Sequence, residues 1–212
     1  MIFALLPVKA PPQAKQRLAS ILPASHREAL ARAMYEHVMA ALCAARGLDR
    51  IAVITSDEAT ARHAGRSGAL VFEEREQSGH AHSADDASRR AMELGAATVL
   101  LVPIDVPLVT PAEIEELIAP SGSGLVIVPS AEGTGTNALA RTPPDIIESC
   151  FGPGSFRAHV EQARRRGVEA KVLRLPGLEF DIDTPEDLTE LLARAPRCPA
   201  AQLVRERWAF TS

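Results

Sequence analysis

Three carboxylates provide the strongest chemical signal in the sequence. Asp105 stands between two prolines at the end of the apolar run 98–104, and Asp181 and Asp183 alternate along FDIDTPEDL, residues 180–188. Alternate side chains of an extended chain point to the same side, so the last two carboxylates repel each other unless a cation lies between them. Oxygen ligands with positions left open for phosphate are typical of Mg²⁺. We interpret the three acids as a candidate metal site, with a turn residue and a helix cap as the alternatives for Asp105 and Asp183.

A basic segment follows the first apolar run of the chain. In LPVKAPPQAKQRL, residues 6–18, Lys9, Lys15 and Arg17 lie close together. Cations in this position suit a polyphosphate, whose charge lysine and arginine neutralise. The pattern of a P-loop is absent, and a solvated basic loop is the alternative interpretation.

Two further loops combine glycine with polar side chains. GTGTNAL, residues 133–139, has glycines that let the backbone approach a ligand, and its polar groups are those of Thr134, Thr136 and Asn137. FGPGSF, residues 151–156, leads into a helix that we expect Ser155 to cap. A helix N-terminus favours an anion, so the second loop is a candidate anion site. A simple loop-to-helix junction is the alternative.

The elements that must position these residues alternate between strand and helix. Mostly continuous apolar runs predict strands of a sheet covered on both faces, at 2–8, 51–55, 69–73, 98–104, 125–129, 137–141 and 170–175. The pattern predicts an α/β fold with a doubly wound, mostly parallel sheet. The 137–141 strand has no long helix before it and is expected to be antiparallel. Ligands of such sheets bind at the carboxyl ends of the strands, where the segments above lie.

Helix starts are marked by capping residues. Ser25 with Glu28 predicts a capping box that opens a helix to about Arg46. Thr110 and Thr184, each followed by proline and then by an acid, predict two more helix starts.

Composition bounds the remaining possibilities. The chain has 212 residues, 46% of them hydrophobic, and a net charge of −4, which suits one globular domain and gives no reason to expect nucleic acid or an anionic membrane as partner. Three scattered cysteines form no metal-type spacing or disulfide framework, and we expect a cytoplasmic protein. We expect one domain over 1–194 and a tail over 195–212 that packs loosely or against a partner, with Trp208 as a candidate homodimer contact.

The motifs above resemble, in order, those of the 2-phospho-L-lactate guanylyltransferase family. That family includes phosphoenolpyruvate and 3-phospho-D-glycerate guanylyltransferases of coenzyme F-420 biosynthesis, and the similarity extends to about Leu192. The resemblance implies a nucleotide-diphospho-sugar transferase-like fold, also called glycosyltransferase A-like. It further implies that GMP is transferred from GTP to a small phosphorylated three-carbon acid, with Mg²⁺ as cofactor and pyrophosphate as product.

The resemblance also assigns roles to residues. The metal ligands fall on Asp105, Asp181 and Asp183. The catalytic cations, which face the nucleotide phosphates, fall on Lys9, Lys15 and Arg17. The acceptor's phosphate falls on Thr136, Gly152 and Ser155, to which we add Asn137 and Gly154 from the same loops as substrate-binding candidates. Nucleotide-binding candidates are Pro7, Lys9, Lys15 and Ser83.

One segment differs from the family, and other functions compete. Family members carry an asparagine near the start of the helix before the Asp105 strand, whereas SGHAHSADDASRRA, residues 78–91, has none. Ser83, Asp85 or Asp86 is the candidate replacement.

The alternatives to guanylyl transfer are a molybdopterin or sugar-phosphate nucleotidyltransferase, a nucleotide-sugar-dependent glycosyltransferase and a non-enzymatic nucleotide sensor. The first usually has glycine after strand one and the second a central D-x-D, neither of which is present.

Overall fold

The computed structural model describes residues 1–9, 15–74, 80–119, 122 and 124–207. Within them the strands are β1 (Ile2–Pro7), β2 (Arg50–Thr55), β3 (Leu70–Glu73), β4 (Thr98–Leu101), β5 (Gly124–Pro129), β6 (Thr136–Thr142) and β7 (Ala170–Val172). They form one sheet in the order β3-β2-β1-β4-β6-β5-β7. All seven predicted strands are therefore present in a single sheet.

Strand direction follows the prediction from sequence. β1 pairs in parallel with β2 and β4, β2 pairs in parallel with β3, and β5 pairs in parallel with β7. β6 is antiparallel to both of its neighbours, β4 and β5, as expected for 137–141. Three strands end earlier than predicted: β4 at Leu101, β7 at Val172 and, by one residue, β1 at Pro7. Pro103 follows the first of them, and proline cannot donate a ladder hydrogen bond.

Eight α-helices lie among the described residues. They are α1 (Ala24–Ala44), α2 (Glu58–Arg66), α3 (His80–Glu93), α4 (Pro111–Ile118), α5 (Ser155–Arg165), α6 (Pro176–Glu179), α7 (Pro185–Arg194) and α8 (Pro199–Arg207). In the described part of the chain, none of them is long and apolar enough to span a membrane.

Two of the three predicted capping boxes are confirmed. Thr110 and Thr184 each accept a hydrogen bond from the N–H of the third helical residue, whose acid accepts one in return. The box at Ser25 is wrong, because α1 already begins at Ala24 and Pro23 caps it without a side-chain hydrogen bond. Proline has φ fixed near the helical value and needs no amide partner, so it can begin the helix one residue earlier.

The sheet is covered on both faces, as predicted. Along β1, Ala4 and Leu6 face a buried cluster with α1, α2 and α4, whereas Phe3 and Leu5 face a second cluster with α3 and α5. This alternation is the period of two that a strand imposes on its side chains. The carboxyl ends of the parallel strands thus emerge between two packed layers of helices, at one edge of the sheet.

A third buried cluster joins the ends of the chain. Met34 of α1 and Leu188 of α7 share it with Ala201 and Val204 of α8. Loose packing is therefore wrong for the part of the tail from Cys198 to Val204. The boundary proposed at 194 remains a prediction, and Trp208 lies outside the described residues.

Replacing Val204 with Asp tests whether α8 is part of the core. Val204 has no exposed surface, and an unpaired carboxylate there should cost about 2 kcal/mol or more. For a chain of this size, that loss corresponds to a melting temperature lower by roughly 4–8 °C. Gln202→Asp, at an exposed position of the same helix, is the matched control and should change the melting temperature little. Equal effects of the two substitutions would show that α8 is not packed as described.

Candidate active site

A cleft of about 710 Å³ opens at the carboxyl-terminal edge of the sheet. It contains most of the residues that the sequence singled out: Pro7, Lys9, Lys15, Arg17, Asp105, Thr136, Asn137, Gly152, Ser155, Asp181 and Asp183. The antiparallel direction of β6 explains how the two groups meet. Because β6 runs antiparallel to β4 and begins near the end of β4, Thr136 at its start lies at the same edge as the segment that carries Asp105.

The three acids form one cluster. A carboxylate oxygen from each of Asp105, Asp181 and Asp183 lies within 4.8 Å of the others. The main chain joins the two segments, since the N–H of Ile182 donates to the carbonyl of Asp105 at 3.0 Å. Residues 181 and 183 therefore flank a backbone hydrogen bond to the Asp105 loop, which directs both side chains towards its carboxylate.

Lys15 lies between two of these acids. Its Nζ is 2.7 Å from Asp105 and 3.0 Å from Asp183, and only 7% of its side chain is exposed. Arg17 adds a weaker, exposed contact to Asp183 at 3.2 Å. Lys15 was expected to face nucleotide phosphates. In the structure its ammonium pairs with Asp105 and Asp183 within the cleft, and its contact with nucleotide phosphates stays a prediction.

The pKa values reflect this crowding of charge. Burial lowers the pKa of Lys15, but the charges of Asp105 and Asp183 outweigh burial, so the pKa is raised above its usual value. Burial raises the pKa of Asp181 to about 6; the hydrogen bond from Asn137 opposes this shift, whereas the other two carboxylates add to it. Three oxygen donors that retain this much mutual repulsion fit a hard divalent cation. The residues present therefore suit the metal site proposed from sequence.

Asn137 holds the segment that precedes this cluster. Its Nδ2 lies 3.0 and 2.9 Å from the carbonyl oxygens of Leu178 and Glu179 and 3.0 Å from Oδ1 of Asp181, so its two hydrogens are shared among three acceptors. Its amide NH₂ group is thus bonded to protein, and the contact of Asn137 with substrate stays a prediction. The contact orients the Asp181 carboxylate within the cleft.

Two residues with hydroxyl groups, Thr136 and Ser155, also line the cleft. The N–H of Thr136 donates to Oγ of Ser155 at 2.8 Å, and Oγ1 of Thr136 lies 3.0 Å from Nδ1 of His159. Ser155 is the first residue of α5 and not its cap; the cap is Gly154, with φ of 74°. The prediction of Ser155 as the cap is wrong because its side chain turns across to β6.

The first amides of α5 are partly occupied. The N–H groups of Ser155 and Phe156 donate to the carbonyls of Gly152 and Thr134 at 3.1 and 3.2 Å. An anion at this helix start therefore depends more on the two hydroxyls than the sequence suggested. The helix dipole still favours negative charge there.

The segment with the missing asparagine does not reach the cleft in the described residues. Ser83 donates to Glu74, Asp86 pairs with Arg89, and Asp85 accepts from buried Arg141 at 2.8 Å. Ser83 was a nucleotide-binding candidate, but the structure does not bring it to the described cleft lining. Its hydroxyl instead donates a hydrogen bond to Glu74, the residue that follows β3.

Sequence reasoning missed His159. It is completely buried on α5, four residues after Ser155, a spacing that places both on one face of a helix. That spacing was visible in the sequence, but histidine on an amphipathic helix is not by itself informative.

Comparison with known proteins identifies the family. A sequence profile described as guanylyl transferase CofC like matches residues 2–205. The chain belongs to this family. A phosphoenolpyruvate guanylyltransferase of Sphaerobacter thermophilus is 41% identical over 198 residues, covering 92% of this chain and 94% of that protein.

Other relatives of this chain are named for different acceptor substrates. A 2-phospho-L-lactate guanylyltransferase of Methanothermobacter thermautotrophicus is 32% identical, covering 96% of this chain and 89% of its own. A 3-phospho-D-glycerate guanylyltransferase of Colwellia psychrerythraea is 33% identical, covering 89% and 90%. These relatives confirm the family resemblance that the motifs indicated.

Solved structures confirm the fold. A Desulfovibrio desulfuricans protein provisionally named a nucleotide-diphospho-sugar transferase matches with a TM-score of 0.78 at 18% identity, over 97% of this chain and 94% of that one. A Mycobacterium tuberculosis protein in complex with manganese matches with a TM-score of 0.57 at 19% identity, over 91% and 98%. At these identities, the likeness establishes the nucleotide-diphospho-sugar transferase-like architecture alone.

Replacing Lys15 with Met should destabilise the metal-free protein and increase its response to divalent cations. Removing the ammonium leaves two acids without their buried partner, which should cost about 1–3 kcal/mol because both acids are partly exposed. Added Mg²⁺ should therefore raise the melting temperature of the variant more than that of the unsubstituted protein. Arg17→Met, which removes a cation with 71% exposure, is the control. If both substitutions behave alike, Lys15 does not neutralise the cluster.

Proposed function

We propose that this protein transfers GMP from GTP to a small phosphorylated three-carbon acid and releases pyrophosphate, in coenzyme F-420 biosynthesis. The acceptor is phosphoenolpyruvate, 2-phospho-L-lactate or 3-phospho-D-glycerate, the acids named in the relatives. The observation that carries the proposal is that one cleft contains both an acid cluster and a pair of hydroxyls at a helix start. The first suits a metal–triphosphate and the second a phosphate monoester.

We assign Mg²⁺ to the acid cluster. Asp105, Asp181 and Asp183 would hold it, and when bound it would neutralise phosphate charge and orient the α-phosphate of GTP. Asn137 keeps the Asp181 carboxylate turned into the cleft. Lys9 and Arg17 are exposed at the cleft and are our candidates for contacts to the outer phosphates, which leave as pyrophosphate.

We assign the phosphate of the acceptor substrate to the part of the cleft lined by Thr136, Gly152 and Ser155. Thr136 and Ser155 supply hydroxyls, and Gly152, with φ of 123°, lets the loop pass close to the anion. In the transfer, an oxygen of the acceptor's phosphate forms a bond to the α-phosphorus of GTP, while the bond from that phosphorus to the bridging oxygen of pyrophosphate breaks. An ionised phosphate oxygen needs no general base, so the protein acts by positioning and charge neutralisation.

The donor and acceptor preferences can be measured together. Purified protein with Mg²⁺ and GTP should release pyrophosphate only when an acceptor is added, and one of the three acids should give the highest kcat/KM. ATP and CTP in place of GTP are the donor controls and should react more slowly. Comparable rates with ATP or CTP would contradict the donor preference. No release with any acceptor would contradict the proposed function itself.

Asp183→Asn tests the metal assignment. The alternative role of Asp183 as a helix cap is removed by the structure, because Thr184 caps α7. We expect activity to fall by roughly 100-fold or more, since the group acts on the charge at the reacting phosphates. The metal-free melting temperature should change little, because the lost contacts to Lys15 and Arg17 are offset by relief of carboxylate repulsion.

The matched control is Asp145→Asn, which removes an exposed carboxylate outside the described cleft lining and should leave activity and melting temperature unchanged. An Asp183→Asn variant with full activity and the same Mg²⁺ dependence would disprove the assignment.

A further inference from the structure

His159 connects three segments next to Thr136 and Ser155, the two residues assigned to the phosphate of the acceptor substrate. Its ring belongs to α5, its Nε2 lies 2.9 Å from the backbone nitrogen of Cys150, and its Nδ1 lies 3.0 Å from Oγ1 of Thr136. The ring of Phe151 packs edge-on against it, with centroids 5.5 Å apart. A completely buried, polar ring with a partner on each nitrogen is fixed in both position and orientation.

The partner of Nε2 fixes the tautomer of the ring. A backbone N–H can only donate, so Nε2 must accept the hydrogen bond from Cys150 and carries no proton. In a neutral imidazole, the remaining proton is then on Nδ1. That proton points to Oγ1 of Thr136, which is therefore the acceptor in this contact.

The ring is neutral under ordinary conditions. Burial lowers the pKa of His159 to about 4; the nearby charge of Arg141 lowers it further, and Asp85 opposes both. A neutral ring agrees with the acceptor role that Cys150 requires of Nε2.

The direction of the Thr136 hydroxyl follows from this tautomer. Because Oγ1 accepts from His159, its own hydrogen is not used in that contact and remains for another partner. Ser155 is in the same position, since its Oγ accepts from the N–H of Thr136. Among the described residues, neither hydroxyl makes a further hydrogen bond, and both residues line the cleft.

We propose that His159 is a positioning residue that makes the Thr136 hydroxyl a hydrogen-bond donor towards the acceptor's phosphate. An ionised phosphate oxygen only accepts hydrogen bonds, so a wall of two hydroxyls binds it well only if both present their hydrogens. Were Nδ1 without a proton, the hydroxyl of Thr136 would donate to the ring and present lone pairs to the anion. This inference rests on the proposed function, which supplies the phosphorylated acceptor.

Two substitutions separate the two nitrogens of the ring. Asn at position 159 can place an amide N–H near the position of Nδ1 and so retain a donor to Thr136, while it leaves the N–H of Cys150 without an acceptor. Gln can place an amide oxygen near the position of Nε2 and retain that acceptor, while it loses the donor to Thr136. We expect the acceptor KM of His159→Gln to be roughly tenfold or more above that of His159→Asn, with similar KM for GTP.

A second background tests whether His159 acts through Thr136. Thr136→Val preserves shape and removes the hydroxyl, and by itself should raise the acceptor KM by roughly tenfold or more. In that background, His159→Gln should raise the acceptor KM no further, because there is no hydroxyl left to direct. Additive effects, or increases in KM that follow the loss of melting temperature in both position-159 variants, would show a merely structural role and overturn the proposal.

A spectroscopic measurement gives an answer independent of turnover. Nitrogen-15 spectra of the imidazole rings, with the His159 signals assigned by their loss in the two variants, should show the tautomer protonated at Nδ1 at neutral pH. The tautomer protonated at Nε2 would overturn the inference even in an active enzyme. If no acceptor substrate led to release of pyrophosphate from GTP, the result would instead count against the proposed function. Failure of the inference and failure of the proposed function are therefore distinguishable.

Discussion

Mutual repulsion of three carboxylates at one edge of the sheet is the constraint on which the site depends. Asp105, Asp181 and Asp183 come from distant parts of the chain, and bringing them within 4.8 Å costs free energy unless positive charge accompanies them. Lys15 supplies that charge through its contacts with Asp105 and Asp183. The packed layers on both faces of the sheet hold the segments in place against this repulsion, so the cluster remains assembled.

The antiparallel strand β6 gives the site its second wall. In a purely parallel sheet, every strand would end at the cleft and none would begin there, so the first residue of a strand could not line it. β6 instead starts at this edge between β4 and β5, so Thr136 lies in the same cleft as the acids and next to the start of α5. One reversed strand thus brings the three acids and the two hydroxyls into a single cleft.

The sequence was most informative where local rules decide the outcome. Apolar runs predicted the strands, and the capping boxes at Thr110 and Thr184 were right because all their hydrogen bonds lie within one turn. The acids were found because alternation in an extended segment is also local. The partner of Lys15 and the turn of Ser155 towards β6 were not predictable, since both depend on contacts between segments far apart in the chain. The tautomer of His159 is likewise set by a backbone amide that no pattern in the sequence reveals.

Glu113 serves two distant hydrogen-bonding groups with one carboxylate. One oxygen completes the cap of α4 by accepting from the N–H of Thr110 at 2.9 Å, and the other accepts from the N–H of Gly177 at 2.6 Å. A side chain on residue 177 would meet that carboxylate and the carbonyl of Leu108, so only glycine permits the approach. The start of a surface helix and the turn that leads to Asp181 are therefore fastened by the same group. The backbone N–H groups of Thr110 and Gly177 should therefore exchange with solvent deuterium together. Fraying of α4 should also loosen the acid cluster.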